Sequence, residues 1–196
     1  MTRELAVTFD YRCPFARNAH EALITATREG TLDIDVRWLA FSLDQAHIAE
    51  GEPAIWDRPD GERGTGVLAL EWGIAVRDRF PDAFLDFHWA MFAARHDDGL
   101  QIKEERVVRD VAAAAGLDVD AVAGEVASGR PLKTLAAEHI EAVDRWNVFG
   151  VPTYIEGDNA VFIRFMDRNN VEDLERALGL LDWTRFNEFK RTTIPR

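Results

Sequence analysis

The chain holds one cysteine, Cys13, in the stretch TFDYRCPFARNAH (residues 8–20), with Pro14 directly behind it. A cysteine reacts as its thiolate, and a free thiol with a pKa near about 8.5 is mostly protonated at neutral pH. A helix N-terminus alters that balance, because its unpaired N–H groups and the helix dipole favour negative charge. Pro14 marks a first helical position, where a missing N–H costs nothing, so Cys13 falls at the cap. Arg12 and Arg17 add positive charge nearby and Asp10 opposes it. The alternative is a small buried hydrophobe, the role of many free cysteines. Position alone leaves both open.

A second stretch, NVFGVPTYI (residues 147–155), places a Val151-Pro152 pair between a helical pattern and an apolar run. Proline opening a strand is ordinary, and spacing alone makes a trans bond the default. The histidines carry less chemistry. His20 lies seven residues after Cys13, about 10 Å along a helix, too far for a base. His88 and Trp89 in FLDFHWAMF, with Trp72 and Arg12, are candidates to line a pocket, against the alternative of core packing. Trp56 and Arg63 are candidates to close over a ligand from a loop, against the alternative of plain solvation. His96-Asp97-Asp98 reads as a solvated helix end, and the other histidines are too scattered for zinc. No metal is expected. No glycine-rich nucleotide loop or Ser-His-Asp signature is present.

These residues need elements to hold them. Leu5 to Phe9 reads as a buried strand, Pro14 to Glu29 as a helix stopped by Gly30, and Leu32 to Phe41 as a second strand. On that helix Phe15, Ala19, Ala22, Leu23 and Ala26 share an apolar face. Strand, helix and strand in so short a span form a βαβ unit with a parallel pair. Residues 42–65 read as a long loop or lid. Helical patterns follow over 66–79, 82–96, 103–115 and 118–127, then 131–146. Thr153 to Glu156 and Ala160 to Phe165 read as a hairpin joined by Gly157-Asp158-Asn159. Val171 to Leu181 is a helix capped by Asn169 or Asn170, and Trp183, Phe186 and Phe189 mark a tail that packs back in part. The sum is an α/β chain: a four-stranded mixed sheet from residues 1–41 and 128–196, with 66–127 as an all-helical insertion packed over the Cys13 end of the sheet.

Composition narrows the partners. The 196 residues are 47% hydrophobic with a formal charge of −12, which suits a globular chain and argues against nucleic acid or anionic membrane. No run of eighteen apolar residues occurs, and the first ten residues are too short in apolar content for a signal peptide. One cysteine forms no internal disulfide, so a cytoplasmic, reducing compartment is expected. Arginine outnumbers lysine 20 to 3, a bias suggesting a GC-rich bacterial genome.

A first strand running into Cys13-Pro14-Phe15-Ala16 at the start of a long helix, a helical insertion, and a late Gly150-Val151-Pro152-Thr153 before a hairpin resemble the DsbA-like branch of the thioredoxin superfamily. That branch includes FrnE-type oxidoreductases, mycothiol-dependent nitroreductases, kappa-class glutathione transferases and 2-hydroxychromene-2-carboxylate isomerases. The resemblance spans about residues 5 to 181. It implies a thioredoxin-like fold, Cys13 as nucleophile, a cis Val151-Pro152 bond facing it, and Pro14, Phe15, Val151 and Pro152 as the thiol-binding frame. Redox members carry a second cysteine where Ala16 stands, so a dithiol cycle cannot close within this molecule. Transferase and isomerase members usually carry serine at the first position. A monothiol site follows, served by a low-molecular-weight thiol such as mycothiol or glutathione and a small substrate. The expected function is a cytoplasmic thiol-dependent oxidoreductase or thiol transferase. The alternatives are a transferase or isomerase that holds a thiol cofactor beside Cys13, and a non-catalytic binding protein.

Overall fold

The computed structural model describes residues 2–186 and residue 188. Four strands form one sheet in the order β2-β1-β3-β4: β1 (Arg3–Phe9), β2 (Ile34–Ala40), β3 (Thr153–Glu156) and β4 (Asn159–Phe162). β1 and β2 run parallel, with Phe9 opposite Ala40. β3 is antiparallel to β1 and to β4. Helix α1 (Pro14–Glu29) makes the crossover between the parallel pair. Its ends match the sequence signals: Pro14 opens it, and Gly30 closes it at φ 62°, a left-handed conformation that glycine adopts without a Cβ clash.

The segment after β2 is more ordered than a plain loop. Ser42 caps a single-turn helix, α2 (Leu43–Ala46), and two 3-10 turns follow at Ile55–Asp57 and Asp60–Glu62. Four helices then run in succession: α3 (Val67–Arg79), α4 (Pro81–His96), α5 (Glu105–Ala114) and α6 (Val119–Ala127). No strand interrupts residues 67–127. The break between α3 and α4 falls at Phe80, and Pro81 opens α4, since the first helical turn needs no N–H from it. Helix α7 (Arg130–Trp146) leads back to β3, and α8 (Val171–Leu181), capped by the Asn170 side chain, packs on α1 and the hairpin.

The hairpin is shorter than its sequence pattern. β4 ends at Phe162, leaving Ile163 to Phe165 outside the ladder, and the connecting turn is Gly157-Asp158 with Gly157 at φ 58°. One continuous apolar core joins sheet and helices, from Val7 and Phe9 on β1 through Trp72, Phe87 and Phe92 on α3 and α4. Gly73 marks a close approach inside it: a Cβ there would lie 2.5 Å from the Tyr11 hydroxyl. In the tail, Trp183 stacks on Phe186 but stays half exposed, so this pair does not enter the core. Phe189 lies outside the described residues.

Candidate active site

Cys13 is the N-cap of α1, with φ −88° and ψ 116°, and its Sγ accepts the Ala16 N–H at 3.5 Å. Across from it, the Val151-Pro152 peptide bond is cis. The Cys13 thiol donates to the Val151 carbonyl oxygen at 3.3 Å. Two pieces of chain far apart in sequence therefore meet at one sulfur, and 9% of Cys13 remains exposed.

The charge balance at this sulfur, open from the sequence, is decided by burial. Burial pushes the Cys13 thiol above its ordinary pKa, although the Ala16 and Phe15 N–H groups pull it down. The buried Asp10 carboxylate also pushes it up. The S–H···O bond to Val151 works in the same direction, since it stabilises the protonated form. Arg12 does not help, because it is spent on Asp10 at 3.5 Å and Asp44 at 2.8 Å. Arg17 is spent on Asp97 at 2.7 Å. The cation that does lower the thiol pKa is Arg164, which follows β4 and which local spacing gave no reason to single out. Its guanidinium lies over the rings of Phe15, 4.9 Å from the centroid, and Phe162, 5.7 Å away. Phe15, expected on the apolar face of α1, is half-buried against the core with this arginine over its ring.

The cis-proline loop is fixed by two threonines. The Thr153 N–H donates to Thr8 Oγ1 at 2.8 Å, and the Thr153 hydroxyl donates to the Gly150 carbonyl at 2.8 Å. Thr8 Oγ1 reaches the same carbonyl at 3.4 Å. Both threonines are buried, and only the tertiary fold pairs residues so far apart.

The remaining candidates separate from the sulfur. Trp72 is 1% exposed and packs inside the helical block, and His88 is fully buried, so both are core residues and not pocket walls. Trp89 is half-buried against the same core. Trp56 packs edge-on against His139, with centroids 5.7 Å apart, and Arg63 pairs with Asp60 at 2.8 Å. A cavity of about 330 Å³ lies under that loop, lined by Asp44, His47, Arg58 and Arg63 among others, but Cys13 does not line it. His96 is not a solvated helix end: its Nε2–H donates to the Tyr11 carbonyl at 2.9 Å, and Asp97 binds Arg17 and Arg168. These contacts hold the C-terminal end of α4 beside the Cys13 turn.

Behind the site runs a buried chain of hydrogen bonds. His20 Nε2 lies 3.1 Å from the Thr8 carbonyl, which only accepts, so that nitrogen carries the proton. His20 Nδ1 then accepts from His88 Nε2 at 2.9 Å, and His88 Nδ1 accepts from the Tyr11 hydroxyl at 2.7 Å. Desolvation keeps both imidazoles neutral, with the His20 pKa lowered to about 3 and that of His88 lowered well below its ordinary value. Among the described residues no group of three or more His, Cys, Asp or Glu side chains converges as a metal site would. No described helix is long and apolar enough to cross a membrane.

Comparison with known proteins fits this geometry. Solved structures match along nearly the whole chain. A 2-hydroxychromene-2-carboxylate isomerase shares 19% identity at a TM-score of 0.64, over 92% of this chain and 97% of that one. DsbA of Pseudomonas aeruginosa shares 16% at 0.63, over 94% and 85%. The thiol-disulfide exchange protein alpha-DsbA2 of Wolbachia pipientis shares 16% at 0.60, over 91% and 81%. At such identities the likeness establishes the fold, which is thioredoxin-like. No curated protein sequence gives a significant match. The DSBA-like thioredoxin domain matches residues 82–179, from α4 to α8 and through the cis-proline loop. That match takes in half of the sequence, and β1, α1 and β2 complete the same fold ahead of it, so the chain belongs to the DSBA-like thioredoxin domain family.

Proposed function

We propose that this protein is a thiol-dependent oxidoreductase or thiol transferase that works through one sulfur, Cys13, with a low-molecular-weight thiol such as mycothiol or glutathione as co-substrate and a small molecule as substrate. The observation that carries the reading is the placement of Sγ at the α1 N-terminus, facing the Val151 carbonyl at 3.3 Å. In the resting state burial and the Val151 bond keep the thiol protonated. Once ionised, it is held by the Ala16 N–H. The Cys13 thiolate then attacks one sulfur of a small disulfide RSSR, forming Cys13–S–S–R and releasing RS⁻. A thiolate of the co-substrate, R′S⁻, attacks the bound R sulfur, restores the Cys13 thiolate and leaves as RSSR′, so the net step moves RS from RSSR to the co-substrate thiol. This outside thiol replaces the resolving cysteine that Ala16 does not supply. A lone thiol suits a reducing compartment, so we place the protein in the cytoplasm.

The test is intact-mass measurement after exposure to a small disulfide. Native protein is expected to gain one mixed disulfide, faster as pH rises through and above the ordinary thiol range, and to lose it on adding free thiol. Cys13→Ser gains none. If only denatured protein forms the adduct, the nucleophile reading falls. The S–H···O bond specifically favours a second reading. In it Cys13 stays protonated and donates to a bound thiolate cofactor in place of Val151, as expected of a transferase or isomerase.

A further inference from the structure

We propose that Arg164 selects the small thiol: its guanidinium binds a carboxylate on the disulfide or thiol that approaches Cys13, so that the preferred co-substrate carries a negative charge a few bonds from its sulfur. This rests on the proposed function and narrows it, because the thiols named there differ in whether they carry carboxylates.

Most of the described arginines are committed to carboxylates. Arg12, Arg17, Arg77, Arg130 and Arg168 each hold one or two carboxylates. No described carboxylate pairs with Arg164, although the chain carries 35 acidic residues. Its described contacts are the faces of Phe15 and Phe162. Aromatic faces attract the guanidinium without taking its N–H donors as a carboxylate would, so those donors stay free for a bidentate carboxylate.

The arginine is also held in place. Asn18 on α1 donates to the carbonyls of Phe165 at 3.0 Å and Met166 at 3.1 Å, tying the segment after β4 to the helix that begins at Cys13. Phe165 is buried and Phe162 packs on Phe149, centroids 5.0 Å apart. Phe15, beneath the guanidinium, lies two residues after Cys13. Arg164 also acts on Cys13 directly, through its charge. The neighbouring surface is apolar: Phe149 is 72% exposed and Met166 43%. One cation at the edge of an apolar surface fits a small organic anion carrying its sulfur inward.

The whole-molecule field predicts the opposite preference. A net charge of −12 repels anions and attracts cations. The experiment therefore compares three symmetric disulfides on the full chain at low salt: dithiodiglycolate, which is anionic, bis(hydroxyethyl) disulfide, which is neutral, and cystamine, which is cationic. Rates of mixed-disulfide formation are read by intact mass for wild type, Arg164→Gln and Arg28→Gln. Arg28 lies fifteen residues along α1 from Cys13, about 22 Å by helix rise, and controls for net charge. Wild type and Arg28→Gln are expected to react faster with dithiodiglycolate than with cystamine. Arg164→Gln should lose at least about tenfold of that preference, a factor within reach of one charge-assisted hydrogen bond. Added salt should shrink the wild-type preference. A cystamine preference in wild type, or equal losses in the two variants, overturns the role of Arg164 while leaving Cys13 reactive. Absence of adduct from all three reagents in native protein removes the proposed function and this inference together.

Discussion

Ala16 shows how one side chain sets the chemistry at Cys13. It stands one helical turn on, fully buried, with its N–H on the sulfur. Ala16→Cys would place a second thiol within reach of the first. Its expected effect is that a mixed disulfide at Cys13 is expelled without outside thiol, leaving an internal bridge that intact mass detects as loss of the adduct. The added sulfur enters a packed position, so the reduced variant should lose about 1–3 kcal/mol. A persistent adduct would show that the two sulfurs cannot align. At this scale the position of the sulfur was legible and its surroundings were not. Pro14 and the strand-to-helix junction located Cys13, because both are local signals. The fate of Arg12 and Arg17 was not local: their partners Asp44 and Asp97 lie 32 and 80 residues away. Charge proximity in sequence therefore left the thiol's balance open, and burial decides it upward.

Among the elements, the strand β1 and the turn before β3 matter most, because they bring the cis-proline loop to the sulfur. Thr8 is the joint between them. Thr8→Val keeps the shape and removes the oxygen, leaving the buried Thr153 N–H without its acceptor. A loss of about 1–3 kcal/mol is expected, measured as a shift of the denaturant midpoint at unchanged slope. Thr27→Val is the control: on the far turn of α1 it removes only a bond to its own helix at Leu23, and should cost less. Equal losses would show that Thr8 is no special joint. Element boundaries were legible where capping chemistry is local, as at Pro14, Gly30 and Asn170. They failed where tertiary contacts decide. The pattern from Ala160 to Phe165 reads as strand throughout, yet the ladder stops at Phe162, and Asn18 takes the carbonyls beyond it.

Over the whole molecule, buried ionisable groups shape stability against pH in opposing directions. His20 and His139 are held neutral, with pKa values lowered to about 3 and about 4, so the unfolded chain binds more protons below about pH 6.5. Their contribution is complete above that pH and is lost as pH falls toward the folded values. Glu71 acts the other way. Burial raises its carboxyl to about 7, so the folded chain binds more protons above the ordinary value of 4.5, and stability falls as pH climbs from there through 7. Glu71→Gln is therefore expected to remove part of the loss between about pH 5 and about pH 8, on the order of 1–3 kcal/mol, in denaturant melts at the two pH values. Parallel losses in wild type and variant would refute it. None of these groups declared itself in the sequence, since an acid on a helix reads as solvated until its neighbours are known.

The chain from Tyr11 through His88 and His20 to the Thr8 carbonyl has every hydrogen assigned and ends on an acceptor that cannot pass a proton onward. It is a strut, not a wire. It spans β1, α1 and α4, three elements that would have to part for the helical block to swing away from the sulfur. An incoming molecule thus meets a rigid wall on the α4 side, and whatever adaptation binding demands falls to the opposite bank, where the side chains of Phe149 and Met166 stand in solvent.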